Sequence, residues 1–280
     1  MKSDLMRLAA TMITAAAIIN AFGASIIVPG TSDPWLAGMT NGATASGGDV
    51  APNQSPVEVS IPIISGTSLT FVTFGAESNN NNTNRPLFAS DGNTNQVLAH
   101  AAGAQNGIAD CTAPIDSLLG VFLGNDLPSL TAAPAALNFT TQPARDFTNL
   151  VPGLKQVFFI GDGFTSTGVP QTFSIPQSAT RLFLGFMDGS TWFDNRGSNT
   201  VNIQVVGIPQ LDIVRASTTN VAVYWTSISN ALHQVEFVSD LTASTWSPLG
   251  LPIRGDGNTN YVFDSVAESQ CRFYRLIIQP

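Results

Sequence analysis

The sequence predicts an all-β chain, two β-sandwiches in tandem. Short apolar or alternating runs recur along it, each bounded by Gly, Pro, Asn, Asp or Ser, the punctuation of strands and turns. Beyond the first twenty residues the apolar spacing of an amphipathic helix is hard to find. Gly (24) and Pro (17) are plentiful enough to supply the many turns such a chain needs.

Taken in order, residues 1–23 read as a signal peptide. Lys2 and Arg7 give a basic start, and residues 8–19 (LAATMITAAAII) form an apolar stretch too short to cross a bilayer comfortably. Ala21-Phe22-Gly23 then offers small residues for cleavage after Gly23 or just beyond. The alternative is an uncleaved anchor or a buried helix. Cleavage would remove Lys2, Asp4 and Arg7, leaving 9 basic and 18 acidic residues. The expected product is secreted or cell-surface, with the periplasm also open to it, and carries no later segment able to span a membrane.

Strands are expected at residues 57–64, 68–74, 118–123, 156–160, 171–175, 181–187 and 199–206. In the last of these Ile203 and Val205 alternate with Asn202 and Gln204, as in a strand half facing water. The tract 79–84 (NNNNTN) belongs in a loop after the 68–74 strand. Residues 131–137 (TAAPAAL) could form a helical turn that Pro134 limits. A boundary near Gly207-Ile208-Pro209 separates residues 24–207 from 208–280. In the tail Val221, Val223, Trp225, Val235, Phe237, Phe273, Tyr274, Leu276 and Ile277 supply a small core, and Asp256-Gly257-Asn258 marks a hairpin turn.

Charge narrows the function. Only 11% of residues are charged, against roughly a quarter in ordinary domains. A net charge of −8 and two lysines in all, Lys2 and Lys155, exclude the basic clusters that nucleic acid requires. His100 and His233 lie far apart with no third ligand evident, so a zinc site is not expected. No Gly-x-Ser-x-Gly elbow is present, and Glu58, Glu77, Glu236 and Glu268 are scattered without an evident acid/base pair. Cys111 and Cys271 fall in different expected domains and are read as unpaired, although export would permit a bridge.

Chemistry concentrates in residues 182–198 (LFLGFMDGSTWFDNRGS). A strand ends near Met187, and the following loop presents Asp188, Ser190, Thr191, Asp194 and Asn195 within eight residues. Calcium takes six to eight hard oxygens, and two carboxylates, an amide and free carbonyls supply much of that set. Trp192 and Phe193 could set an aromatic face beside the ion for a sugar. A plain Asp-Gly and Asp-Asn-x-Gly turn is the competing reading.

This stretch resembles the LecA-like (PA-I-like) family of calcium-dependent galactose-binding lectins, whose fold is a jelly-roll type β-sandwich. Asp188, Thr191, Asp194 and Asn195, followed by Gly197-Ser198, match that family's last hairpin. The resemblance implies that these four bind Ca2+ and, through it, hydroxyls of a galactose-like glycan, with Trp192 flanking the sugar. It implies a further backbone ligand near Ser78 or Asn79. Asn106-Gly107, residues 118–124 (LLGVFLG) and 159–163 (FIGDG) extend it loosely over residues 26–206. The loop is one residue shorter than in the lectin, an Asp replaces one Asn, and residues 109–114 (ADCTAP) lack its sugar-contacting histidine. Trp225, Leu241, Trp246 and residues 273–276 (FYRL) resemble a small Ig/fibronectin-III-like domain of accessory type. The expected protein is thus a non-enzymatic, calcium-dependent carbohydrate binder. Its rivals are a surface or matrix adhesion protein with a calcium-stiffened loop, and an exported glycan hydrolase.

Overall fold

The computed structural model describes residues 23–266 and 271–279; the expected signal peptide, residues 1–23, lies outside them but for Gly23. Among the described residues the chain is nearly all β, with several sheets and no helical bundle. It divides between Gly207 and Ile208 into two compact units.

The larger unit contains β1 (Gly23–Pro29), β2 (Val57–Glu58), β3 (Ser68–Ser78), β4 (Asp91–Ala99), β5 (Cys111–Leu123), β6 (Leu137–Asn138), β7 (Asn149–Leu150), β8 (Val157–Phe159), β9 (Thr172–Ser174), β10 (Arg181–Phe186) and β11 (Arg196–Val206). One sheet runs β1-β11-β3-β9-β7; the other runs β2-β10-β5-β4, with β6 and β8 also on β5. Burial alternates along the first half of β3 and along β11 from Asn199 onward. Leu69, Phe71, Val201 and Ile203 are buried while Val72 and Phe74 face out. β5 is buried almost throughout, as a central strand covered on both faces is. Phe158 of β8 meets Phe173 of β9 at 5.7 Å and stacks on Phe122 of β5 at 5.3 Å, so the two sheets share one aromatic core.

The sequence predicts β3, β5, β8, β9, β10 and β11, with β3, β5 and β11 drawn too short and β8, β9 and β10 one or two residues too long. Region 57–64 forms a strand only at Val57–Glu58, extended by the Val59 amide donating to the Leu182 carbonyl; the Ile61 amide then turns back to Val59, and Pro62 has no N–H to resume the ladder. β1 and β4 were not expected. β4 (DGNTNQVLA) is too polar to signal itself, and β1 begins where the signal segment was read to end. Residues 131–137 are not helical; the one α-helical turn among the described residues is Gln142–Arg145, capped by the Thr141 hydroxyl. The 79–84 tract is a loop folded by Asx turns, with the Asn82 and Asn84 amides donating to Asn80 and Asn82.

The smaller unit contains β12 (Asp212–Arg215), β13 (Asn220–Thr226), β14 (Leu232–Val238), β15 (Ser247–Pro248), β16 (Ile253–Arg254), β17 (Thr259–Ser265) and β18 (Phe273–Gln279). One sheet is β12-β13-β17; in the other, β14 pairs with β15, β16 and β18. Val221, Val223, Trp225, Val235 and Tyr274 form its core. Asp264 is buried but paired, accepting from Arg272 and from the Tyr274 hydroxyl at 2.8 Å. The Asp256-Gly257-Asn258 turn is not a hairpin. It joins β16 to β17, which lie in different sheets, so it serves as a corner between them. Both cysteines are free: Cys111 is buried and Cys271 half-buried.

Candidate metal centre

β10 pairs with β5 up to Phe186↔Leu118, and the pairing continues one step as the Asp116 and Met187 amides donate to Met187 and Ser117 carbonyls. That register sets Asp188, the next residue, beside Asp116. On the other sheet Glu77 occupies the inward row of β3, where Leu69 and Phe71 are apolar, and pairs with Gly197 of β11. Asn195, just before β11, donates its side-chain amide to the Gly30 carbonyl at 3.2 Å. Glu77 lies against the same glycine: a Cβ on Gly30 would stand 3.2 Å from Glu77 Oε2. Glu77, Asp116, Asp188 and Asn195 thus converge from both sheets and the β10–β11 connection.

All four are buried, Glu77 completely. Five of their oxygens are shielded from solvent with no hydrogen-bond partner: both of Glu77, and one each of Asp116, Asp188 and Asn195. An isolated buried charge costs several kcal/mol, so such groups must take up protons or a cation. Their titration follows that rule. Burial first, then the Asp116 and Asp188 charges, hold Glu77 well above the usual carboxylate range, with Arg196 a weaker opposing influence. Burial raises Asp116 to about 6 against the lowering effect of the Asn79 amide and of Glu77. Burial raises Asp188 to about 7 against the Gly189 amide and the Asn195 side chain. Asp33, also fully buried with a free Oδ2, is raised to about 8 by burial, with Asp49 and Asp188 adding to it. Among the described residues no three His, Cys, Asp or Glu side chains are already gathered to metal-ligand spacing. Carboxylates with no cation between them repel, so loading an ion would have to draw them inward.

The donor types, though not their present spacing, fit a hard divalent cation. The orphaned donors are oxygens, as calcium prefers, and the carboxylates far outnumber nearby positive charge. Arg196 spends its guanidinium on the Asn80 and Arg85 carbonyls at 3.1 and 2.5 Å.

Of the residues singled out in the sequence, the structure brings Asp188 and Asn195 together. Asn79 touches the cluster through its amide, which donates to Asp116 Oδ1 at 2.6 Å. Thr191 and Asp194 face a different neighbourhood. Thr191 has a left-handed backbone (φ 70°), packs against Gly47 and donates its hydroxyl to the Ser190 carbonyl. Asp194 is half-buried and close enough to Asp49 for its charge to add to the burial that raises that carboxyl, and its Oδ1 is also unpartnered. Asp49 accepts the Trp192 and Phe193 amides at 3.2 and 2.9 Å and so caps the turn from 144 residues away. Trp192 is a correction: expected beside a sugar, it is fully buried, donates to the Phe186 carbonyl at 2.9 Å and packs on Trp35 and His100. The exposed ring of that turn is Phe193.

Sequence reasoning missed Glu77, Asp116, Asp33 and Asp49. Asp116 carried a usable signal, a lone carboxylate inside the apolar run 111–123. It also takes a positive φ of 69°, uncommon outside glycine and common at functional sites.

These shifts fix a pH dependence. Carboxyls raised in the folded state bind protons more tightly there than when unfolded, where they titrate near 4. Their stabilising contribution is complete below about pH 4 and is lost as pH rises through the folded values of about 6 to 8. In chelator, the melting temperature is therefore expected to fall steadily from pH 5 to pH 8. A flat or rising profile by scanning calorimetry contradicts the burial of these groups as charges without a cation.

No family model, curated protein or solved structure matches the chain.

Proposed function

We propose that the larger unit is a non-enzymatic, calcium-dependent carbohydrate-binding module of an exported protein. The observation that carries this is the pair of buried, unpartnered oxygens, Asp188 Oδ2 and Asn195 Oδ1, on the two arms of the β10–β11 connection. They belong to residues that the resemblance to LecA-like lectins gives to calcium. Calcium would be held by Asp188 and Asn195, ordering the loop between them. Bound there, it would supply a Lewis-acidic centre able to take glycan hydroxyls. Phe193, the exposed ring of the same turn, would then be the side chain to meet a sugar, with Asp194 beside it.

The test is retention on galactose resin and on a glycan array. Binding is expected in millimolar calcium and lost in chelator and in Asp188→Ala. A second reading has its own support, the burial of Trp192, which removes the stacking face a sugar would use. In that reading calcium only stiffens the loop of a surface or matrix protein. Calcium-dependent stability without retention on any glycan selects it.

A further inference from the structure

We propose that Glu77 and Asp116 are ligands of the cation, so that the ion fastens one sheet of the large sandwich to the other. The inference rests on the calcium reading only through the shared ligands Asp188 and Asn195. Neither Glu77 nor Asp116 belongs to the hairpin on which that reading was built.

Glu77 comes from β3 of one sheet and Asp116 from β5 of the other. Glu77 is fully buried, no amide, hydroxyl or guanidinium donates to either of its oxygens, and the side chain within its reach is a second carboxyl, Asp116. A structural carboxylate in a sandwich core is ordinarily satisfied by amides, hydroxyls or a guanidinium. Asp264 in the smaller unit is such a case, held by Arg272 and Tyr274. Glu77 has no equivalent, and it points at Gly30, whose carbonyl already holds Asn195. Asp116 has one oxygen fixed by the Asn79 amide and the other free and buried. The fixed oxygen orients the carboxyl, and the free one is left for a ligand, the division of labour common at metal sites. Gly197 opposite Glu77 carries no side chain, and its φ of 89° and tight fit against the Ala76 carbonyl leave no place for one.

The consequence is a clasp. An ion shared by β3, β5 and the β10–β11 connection ties the sheets at one end of the core, where carboxylates replace apolar side chains. The protein would then reach full stability only where calcium is abundant.

The experiment is calcium titration by isothermal calorimetry of the full chain, of Glu77→Gln and of Asp116→Asn, with Asp188→Asn for comparison. Each substitution keeps the side chain's shape and removes a charge. Each is expected to weaken calcium binding about tenfold or more, while the melting temperature in chelator holds or rises because repulsion is relieved. Having two variants keeps the test decisive if one fails to fold. Calcium affinity within threefold of the unaltered chain in either folded variant, with affinity lost in Asp188→Asn, overturns the proposal. The glycan arm is separate. Weakened calcium binding in both variants without sugar retention upholds the clasp and removes the carbohydrate reading. Sugar retention with calcium affinity indifferent to Glu77 and Asp116 does the opposite.

Discussion

Returning calcium to chelated protein is expected to raise the melting temperature of the larger unit by about 5–10 °C at a hundredfold excess over the dissociation constant. A ligand that binds only the folded state at that excess contributes roughly 2.7 kcal/mol, and each kcal/mol moves a domain of this size by about 2–4 °C. The effect should grow with pH between 5 and 8, because the cation then replaces protons that Asp116 and Asp188 can no longer hold. Asp188→Ala should abolish the shift. Its Oδ1 already accepts the Gly189 amide, so the free Oδ2 is the atom that the ion would lose. Differential scanning fluorimetry with and without chelator measures both. A calcium shift that survives in Asp188→Ala would place the ion elsewhere.

The second large effect concerns Trp192. Trp192→Ala is expected to cost about 3–5 kcal/mol of folding stability, as truncation of a large buried aromatic does. The side chain is fully buried, donates to the Phe186 carbonyl and packs in one cluster with Trp35 and His100, which stack at 3.9 Å. Its loss would open a cavity and leave the Phe186 carbonyl without that donor. Urea denaturation measures the cost. A sugar platform would behave otherwise: glycan retention would fall and stability would change by less than about 0.5 kcal/mol, as at an ordinary surface position. Phe193→Ala is the matched comparison, since that ring is the exposed one.

Fold class was legible because strand periodicity is a local property. Alternation along residues 199–206 and the apolar run 118–123 each declare a strand without reference to anything distant. β4 was not legible, since its polar sequence is held by the β5 ladder rather than by its own propensity. The loop between Asp188 and Asn195 stood out because its oxygens lie close together in sequence. Its partners did not. Glu77 lies 111 residues before Asp188 and Asp116 lies 72 before it, and only the pairing of β3 with β11 and of β5 with β10 brings them together. The direction a side chain takes within a tight turn is also set by tertiary contacts. Asp49 caps the Trp192–Asp194 turn and so turns Trp192 inward, which no spacing rule could have supplied.

The buried cluster, with its five orphaned oxygens, must hold a cation rather than protons for the proposal to stand. Native mass spectrometry of the full chain, dialysed against millimolar calcium and then into volatile buffer, reads this directly. The account predicts one calcium retained per chain, and none in Asp188→Ala. A chain that retains no calcium at millimolar supply, with a melting temperature indifferent to calcium and chelator, would contradict it.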